Sequence, residues 1–291
     1  MDRTSLSENH ESEGIGHGEL VLVGLGLWDN GGISMSGVEA ASTADEVYVE
    51  LYTSLMPGLD IKSLQRTLGK RISVLTRRDL EDDADERILK AAQNRRVVLL
   101  VPGDPLAATT HASLRLRASE LKVKTRIIHA ASVFSAAASL AGLQHYKFGK
   151  TVTIPIRQEG YMPLSPYDVL SDNLSRGLHT LLLLDLDVER GRFLSISQAL
   201  NQLLEMEHAR GMKVITEDRL AIGLARIGSV EPIVRCNRIK DLFSVDFGLP
   251  PHSLIVPGRL HFMEADILVK LHGAPASILS TDAEDATCQD F

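Results

Sequence analysis

Five short apolar runs in the first half of the chain, at 20–23, 47–51, 72–75, 97–101 and 125–128, alternate with longer amphipathic segments. No other feature restricts the fold as much, because strands separated by helical patterns build a parallel or mixed sheet with crossover helices. The run VVLLV at 97–101 has no polar face at all. Such a run suits a central strand covered on both sides. The expected fold class is therefore α/β.

The second half reads differently. Strands are expected at 151–156, 180–186, 220–225 and 253–256. Ser195 and Gln198 have the spacing of a capping box, and Ile196, Leu200, Leu203 and Leu204 follow on one helical face. A second helix is expected over 260–272, with Phe262, Met263, Ile267 and Leu271 turned inward and Gly273 as its stop. The joint falls near Ala130, so two α/β domains are expected, at 19–129 and 130–275. Residues 1–18 and 276–291 carry too little apolar content to offset ordering entropy and are read as a disordered extension and tail.

With 44% hydrophobic residues in 291, the chain can build its cores without metal or disulfides. A net charge of -7 argues against a nucleic-acid partner held by phosphate contacts. Only Cys236 and Cys288 occur, with no CxxC or histidine-rich spacing for zinc, which fits a reducing compartment. The polar N-terminus is unlike a signal peptide, and the longest mostly apolar stretch, 133–143, is too short to span a membrane. A soluble, cytoplasmic protein with no membrane partner is expected.

Two strand exits are rich in small residues. GLGLWDN (24–30) supplies Gly24 and Gly26 but sets Asp29 where a dinucleotide fingerprint needs its third glycine. PGDP (102–105) holds Asp104 between two prolines and a glycine, where it could accept hydrogen bonds from ribose hydroxyls or an amine. Each could be an ordinary turn; together they point to a shared ligand site at the carboxyl ends of strands. FGKT (148–151) lacks the first glycine of a phosphate loop and leads into a strand, so an ATPase is discarded. EDDADE (81–86) is read as a solvated face. His129, His145, His179 and His252 lie at element edges without a nucleophile motif beside them. HYKF (145–148) is read as packing at the joint.

Taken with ELYTSLM (50–56), IHAASVFSA (128–136), GLHTLLLLD (177–185), LARIGS (224–229) and PPHSLIVPGRLHFMEAD (250–266), these motifs resemble the diphthine synthase family. That family is the diphthamide-pathway branch of the tetrapyrrole-methylase-like (class III) S-adenosylmethionine-dependent methyltransferases. GLGL and PGDP are shared across the larger group; ELYTSLM, GLHTLLLLD and PPHSLIVPG are the specific part. The resemblance implies a cofactor cleft between the two domains, in a homodimer. It implies cofactor contacts at Leu27, Asp104, Ala107, Ser132, Val133, Leu184, Ile227 and His252. Ala107 and Ile227 depart from the family's valine and alanine. It further implies trimethylation of the amino group of an aminocarboxypropyl-histidine on translation elongation factor 2, releasing S-adenosylhomocysteine, with no metal. Positioning and desolvation can carry such a transfer, so no base is required; His179 and His252 are the candidates should one act. The rivals are a corrin-precursor or ribosomal RNA methylase, a Rossmann-like oxidoreductase, and a non-catalytic module binding elongation factor 2.

Overall fold

The computed structural model describes residues 18–158 and 160–279. The extension before Gly18, the tail from Ser280 with its Cys288, and Glu159 lie outside the described residues. Strands β1 (Glu19–Gly24), β2 (Glu46–Glu50), β3 (Ile72–Leu75), β4 (Arg96–Val101) and β5 (Lys124–Ile128) form one wholly parallel sheet in the order β3-β2-β4-β1-β5. Side chains alternate across a strand, so β1 and β4 feed two cores at once. Leu20, Leu22, Leu99 and Val101 pack with Leu114 and Ala118 on one face. Val21, Val23, Val98 and Leu100 pack with Ala40, Leu64 and Leu68 on the other. That double burial is what the unbroken apolar runs encode.

The strand order places a switch point in the middle of this sheet. From β1 the chain crosses over β4 to reach β2, and from β4 it crosses over β1 to reach β5. Connections leave in opposite directions and open a crevice at the carboxyl ends of β1 and β4, where open α/β sheets take their ligands.

The later strands are β6 (Val152–Ile154), β7 (Thr180–Leu184), β8 (Leu186–Asp187), β9 (Arg192–Phe193), β10 (Leu220–Ala225), β11 (Ile233–Arg238) and β12 (His252–Val256). Five of them make a mixed sheet, β11-β10-β12-β7-β6, and β8 pairs with β9 alone. The expected strand over 180–186 breaks at Asp185, whose carboxylate accepts the Ile156 and Leu186 amides at 2.9 Å each. That over 151–156 shortens to Val152–Ile154. Strand β11 has no counterpart among the expected elements: it lies at the sheet edge, and its arginines and asparagine interrupt the apolar signal. The Ser195–Gln198 capping box is present at the start of the helix Ile196–Arg210, with Ile196, Leu200 and Leu203 buried and Leu204 partly so.

The helix Phe262–His272 corrects the expected packing. Gly273 caps it in the left-handed conformation and Ile267 packs half-buried beside Gly142, both as read, but Phe262, Met263 and Leu271 face solvent and Glu264, Ala265 and Leu268 face inward. The difference follows from the Glu264 carboxylate, which is almost wholly buried yet richly partnered. It accepts the Gln144 amide (2.8 Å), the His261 amide (2.7 Å), the Lys147 ammonium (2.6 Å) and His179 Nε2 (3.2 Å). Burial would push its carboxyl up, but these donors outweigh burial and hold it at about 2. The 3-10 turn Ala276–Leu279 follows, four residues into the stretch read as tail. Among the described residues no helix is long and apolar enough to cross a membrane.

A carboxyl held low in the folded state stabilises the fold above its unfolded pKa and loses that contribution as pH falls toward the folded value. Glu264→Gln should therefore cost about 3 kcal/mol at pH 7 and flatten the pH dependence of stability between roughly pH 4.5 and 2. Urea denaturation across that range tests this; an unchanged acid slope would show that Glu264 does not carry it.

Candidate functional site

The two small-residue strand exits are joined to each other. The Leu25 amide donates to the Val101 carbonyl at 2.8 Å, and Gly26 and Gly103 then exchange two hydrogen bonds, of 3.2 and 2.7 Å. Gly26 and Gly103 have φ of +77° and +70°, a region open to glycine and poor for other residues. A Cβ on Gly24 would stand 2.6 Å from the Gly103 carbonyl oxygen, so the two chains approach as backbone only. At Gly103 a Cβ would meet nothing, because that side faces a cavity.

Asp104 fixes the next layer. Its Oδ1 accepts the Leu106 amide at 3.2 Å, and its Oδ2 lies 2.7 Å from His129 Nδ1 and 3.4 Å from the Ala130 nitrogen. The aspartate thus ties the β4 exit to the β5 exit. Asp29, at the missing third glycine, accepts the Gly31 amide at 2.9 Å and caps the short turn Asn30–Gly32. A dinucleotide fingerprint has no place for that turn.

Beyond these exits lies a cavity of about 470 Å³. All eight residues named for cofactor contact line it: Leu27, Asp104, Ala107, Ser132 and Val133 from the first sheet's side, and Leu184, Ile227 and His252 from the second sheet's. Ser132 begins the helix Val133–Ala141 and caps its Phe134 amide. Beside the two positions that depart from the family pattern, Ala108 and Arg226 take φ of +56° and +55°.

The two histidine candidates separate. His252 lines the cavity and is largely buried, and neither ring nitrogen has a hydrogen-bond partner. Burial pushes its pKa down, and the Phe247, Gly248 and Leu249 carbonyls oppose the shift without reversing it. It stands as a neutral ring near those carbonyls, with no hydrogen bond of good geometry to either nitrogen. His179 is outside the cavity. Its Nδ1 accepts the Gly258 amide at 3.0 Å, so its proton sits on Nε2 and is given to Glu264. The base candidacy of His179 is withdrawn, since both nitrogens are committed to packing.

Pattern reading missed one end of the cavity, formed by Tyr52, Thr53, Ser54, Arg77, Glu81, Thr109 and Thr110 at the exits of β2 and β3 and beside the PGDP loop. Glu81 belongs to the run taken as a solvated face and is exposed as read, but it also lines the cavity; Asp85 and Glu86 pair with Arg117 and Lys90. The fully buried Glu50 shapes the turn above it, accepting the Tyr52 and Thr53 amides at 3.0 and 3.1 Å and the Thr53 hydroxyl. Burial pushes its carboxyl up, and those bonds oppose the shift. The available signal was that ELYT and TRRDLE each follow a strand of the same parallel sheet, whose carboxyl ends converge. In FGKT, a Cβ on Gly149 would stand 2.2 Å from Asn173 Oδ1, so packing accounts for that glycine. HYKF likewise packs: its Lys147 reaches Glu264 and the Arg259 carbonyl.

Among the described residues the cavity is acidic, lined by Glu81, Asp104 and Asp185 against one guanidinium, Arg77. Such walls favour a cationic ligand.

The family model of the Tetrapyrrole (Corrin/Porphyrin) Methylases matches residues 19–217. The diphthine synthase of Methanothermobacter thermautotrophicus is 42% identical over 261 residues, covering 89% of this chain and 98% of that protein. That of Methanococcoides burtonii is 44% identical over 265 residues, with coverage of 89% and 98%. A crystal structure of diphthine synthase superposes with a TM-score of 0.81 at 41% identity, covering 90% of this chain and 98% of that one.

Imidazole NMR of the free protein should show His252 as a neutral ring with its titration midpoint below about 6.5. A midpoint at or above that value would mean that the cavity solvates the ring.

Proposed function

The chain belongs to the tetrapyrrole methylases and, among them, to the diphthine synthase family, and on that premise we propose that it trimethylates the amino group of the aminocarboxypropyl-histidine on elongation factor 2. One observation carries the reading at residue level: all eight positions that the resemblance assigns to the cofactor converge on one cavity from both sheets. Domains at 19–129 and 130–275 would close on the cofactor from either side. A homodimer and a cytoplasmic setting, both implied by the resemblance, belong to the same proposal. The rival corrin and RNA methylases lose ground, because the relatives that cover nearly the whole chain carry the diphthine synthase name.

The walls fit S-adenosylmethionine. A buried neutral histidine with no hydrogen bond of good geometry to either nitrogen suits a ligand rich in polar edges, and the open face of Gly103 admits one against the backbone. When bound, S-adenosylmethionine supplies a methyl group on a sulfonium whose departure as a neutral thioether needs no assistance. Asp104, held by the Leu106 amide and by His129, presents a fixed acceptor at the mouth of β4. Leu27, Val133, Leu184 and Ile227 provide apolar contact and exclude water.

The amine must attack through its lone pair, and an acyl- or phosphoryl-type nucleophile on the protein is not required. Desolvation beside a sulfonium lowers the amine's pKa, which favours the neutral form. A proton leaves the nitrogen after each of the first two transfers. The third leaves a quaternary nitrogen with no lone pair, so amine methylation ends there. The chain's main contribution is to hold the amine and methyl carbon in line at near-attack distance.

Incubation with S-adenosylmethionine and elongation factor 2 bearing the aminocarboxypropyl-histidine, followed by mass analysis of the modified peptide, should show three added methyl groups. Asp104→Ala should lower the rate by at least about tenfold and weaken S-adenosylhomocysteine binding. A fourth methyl would mean that the carboxylate is esterified as well. Intact S-adenosylhomocysteine binding with no methyl added would keep the cofactor and reject the substrate.

A further inference from the structure

The cavity holds more than a cofactor site, because its lining divides by strand. The eight proposed cofactor residues lie at the exits of β1, β4, β5, β7 and β10 and at the start of β12. None lies on β2 or β3. Those two exits, at the outer side of the sheet order β3-β2-β4-β1-β5, contribute Tyr52, Thr53, Ser54, Arg77 and Glu81 to the same cavity.

We propose that Arg77 recognises the carboxylate of the amino-acid side chain that is methylated, and so aims its amine. The inference rests on the substrate reading above and names the residue that selects for it. The target group carries an amine and a carboxylate on one carbon. Methylation requires the amine to be neutral, so the carboxylate is left as an uncompensated anion entering a cavity walled by three acids. A cation has to meet it. Among the described residues that line the cavity, Arg77 is the only lysine or arginine.

The geometry leaves Arg77 available. Its ion pair with Glu81 is long, at 3.7 Å, and makes no hydrogen bond, and its side chain is about half exposed at 53%, so the guanidinium can add a second partner. Asp185 already accepts two amides, and Asp104 is engaged with His129 and the Leu106 amide. The guanidinium is also oriented. It stacks over the Tyr52 ring with its carbon 5.0 Å from the ring centre, and Tyr52 sits buried on the turn that Glu50 holds. The backbone beneath Arg77 is set by the Thr76–Asp79 capping box, and Asp79 pairs in turn with Arg87 at 2.9 Å. A fork held flat over an aromatic face can take a carboxylate bidentately, and two fixed oxygens orient the carbon that also bears the amine.

The test compares Arg77→Gln and Arg77→Lys with the unaltered full-length chain. Calorimetry with S-adenosylhomocysteine reports the cofactor site, and steady-state methylation of elongation factor 2 bearing the aminocarboxypropyl-histidine reports the substrate. The expected result is cofactor affinity within about twofold of the unaltered chain and kcat/KM reduced roughly 10- to 100-fold in the glutamine variant, mainly through KM. Lysine, which keeps the charge and the packing but not the fork, should recover part of the loss. If the glutamine variant does not fold, the lysine variant decides alone by a raised KM at normal cofactor affinity. A matching loss of S-adenosylhomocysteine affinity would reassign Arg77 to the cofactor and overturn the proposal, as would kcat/KM within about threefold of the unaltered chain in both variants. If the unaltered chain binds S-adenosylhomocysteine yet leaves the modified factor untouched, the substrate reading itself falls, and the assignment with it.

Discussion

Two hydrogen bonds between Gly26 and Gly103 hold the first sheet's exits together, and the site is arranged around them. They join the two central strands β1 and β4, whose connections leave in opposite directions, at the point where the crevice opens. Positive φ at both glycines and the close approach at Gly24 keep these positions to glycine, and the first functional group beyond them is Asp104. Its reach to His129 then draws in the β5 exit and the Ser132 turn. Substituting either glycine would disturb three strand ends at once, because each is positioned through the others.

Two buried carboxylates organise the rest, and their opposite behaviour shows what burial alone does not decide. Glu264 has four donors, one of them an ammonium, and is held well below the ordinary range. Glu50 has three donors and no cation in hydrogen-bond contact; Arg77 acts on it only through charge, and the His111 ring 3.9 Å away is itself pushed toward neutrality by burial. Desolvation therefore dominates, and its carboxyl is pushed up. Each still performs a positional task. Glu264 docks a helix onto Gln144, Lys147 and His179, and Glu50 forms the turn on which Tyr52 faces the cavity.

Legibility of the fold followed the chemistry of burial. Strands covered on both faces, such as β1 and β4, leave unbroken apolar runs and were evident. Edge strand β11 buries only Val234 and Cys236 fully among arginines and an asparagine, and its pattern carried no clear signal. The helix at 262–272 is legible in the sequence but its buried face only in part, through Ile267, because periodicity assigns a glutamate to solvent and cannot know that four donors await it. The glycine and proline loops of the site were legible because their backbone demands leave residue-level traces. The Arg77 end was not: a charged residue in a cavity and one on a solvated face have the same letter. His179 and His252 were likewise equal in sequence, and only their neighbours, a carboxylate and an amide for one and neither for the other, tell them apart.

On the reading proposed here, the strand order divides the labour of the site. The central pair β1 and β4 carries the motifs that the larger methylase group shares, GLGL and PGDP, and these meet at the switch point where geometry leaves little latitude. Strand β2 carries ELYTSLM, a motif that marks the narrower resemblance, and its exit with that of β3 lies further toward the sheet edge. Edge exits are bound by fewer neighbours: β3 pairs only with β2, and Ser73 and Val74 within it are exposed. Residues there can change without disturbing the reciprocal bonds at the centre. A fold of this kind can therefore keep one cofactor cradle and exchange the group that meets the substrate, which is why a lone guanidinium at the β3 exit carries more information about specificity than the glycines that first draw the eye.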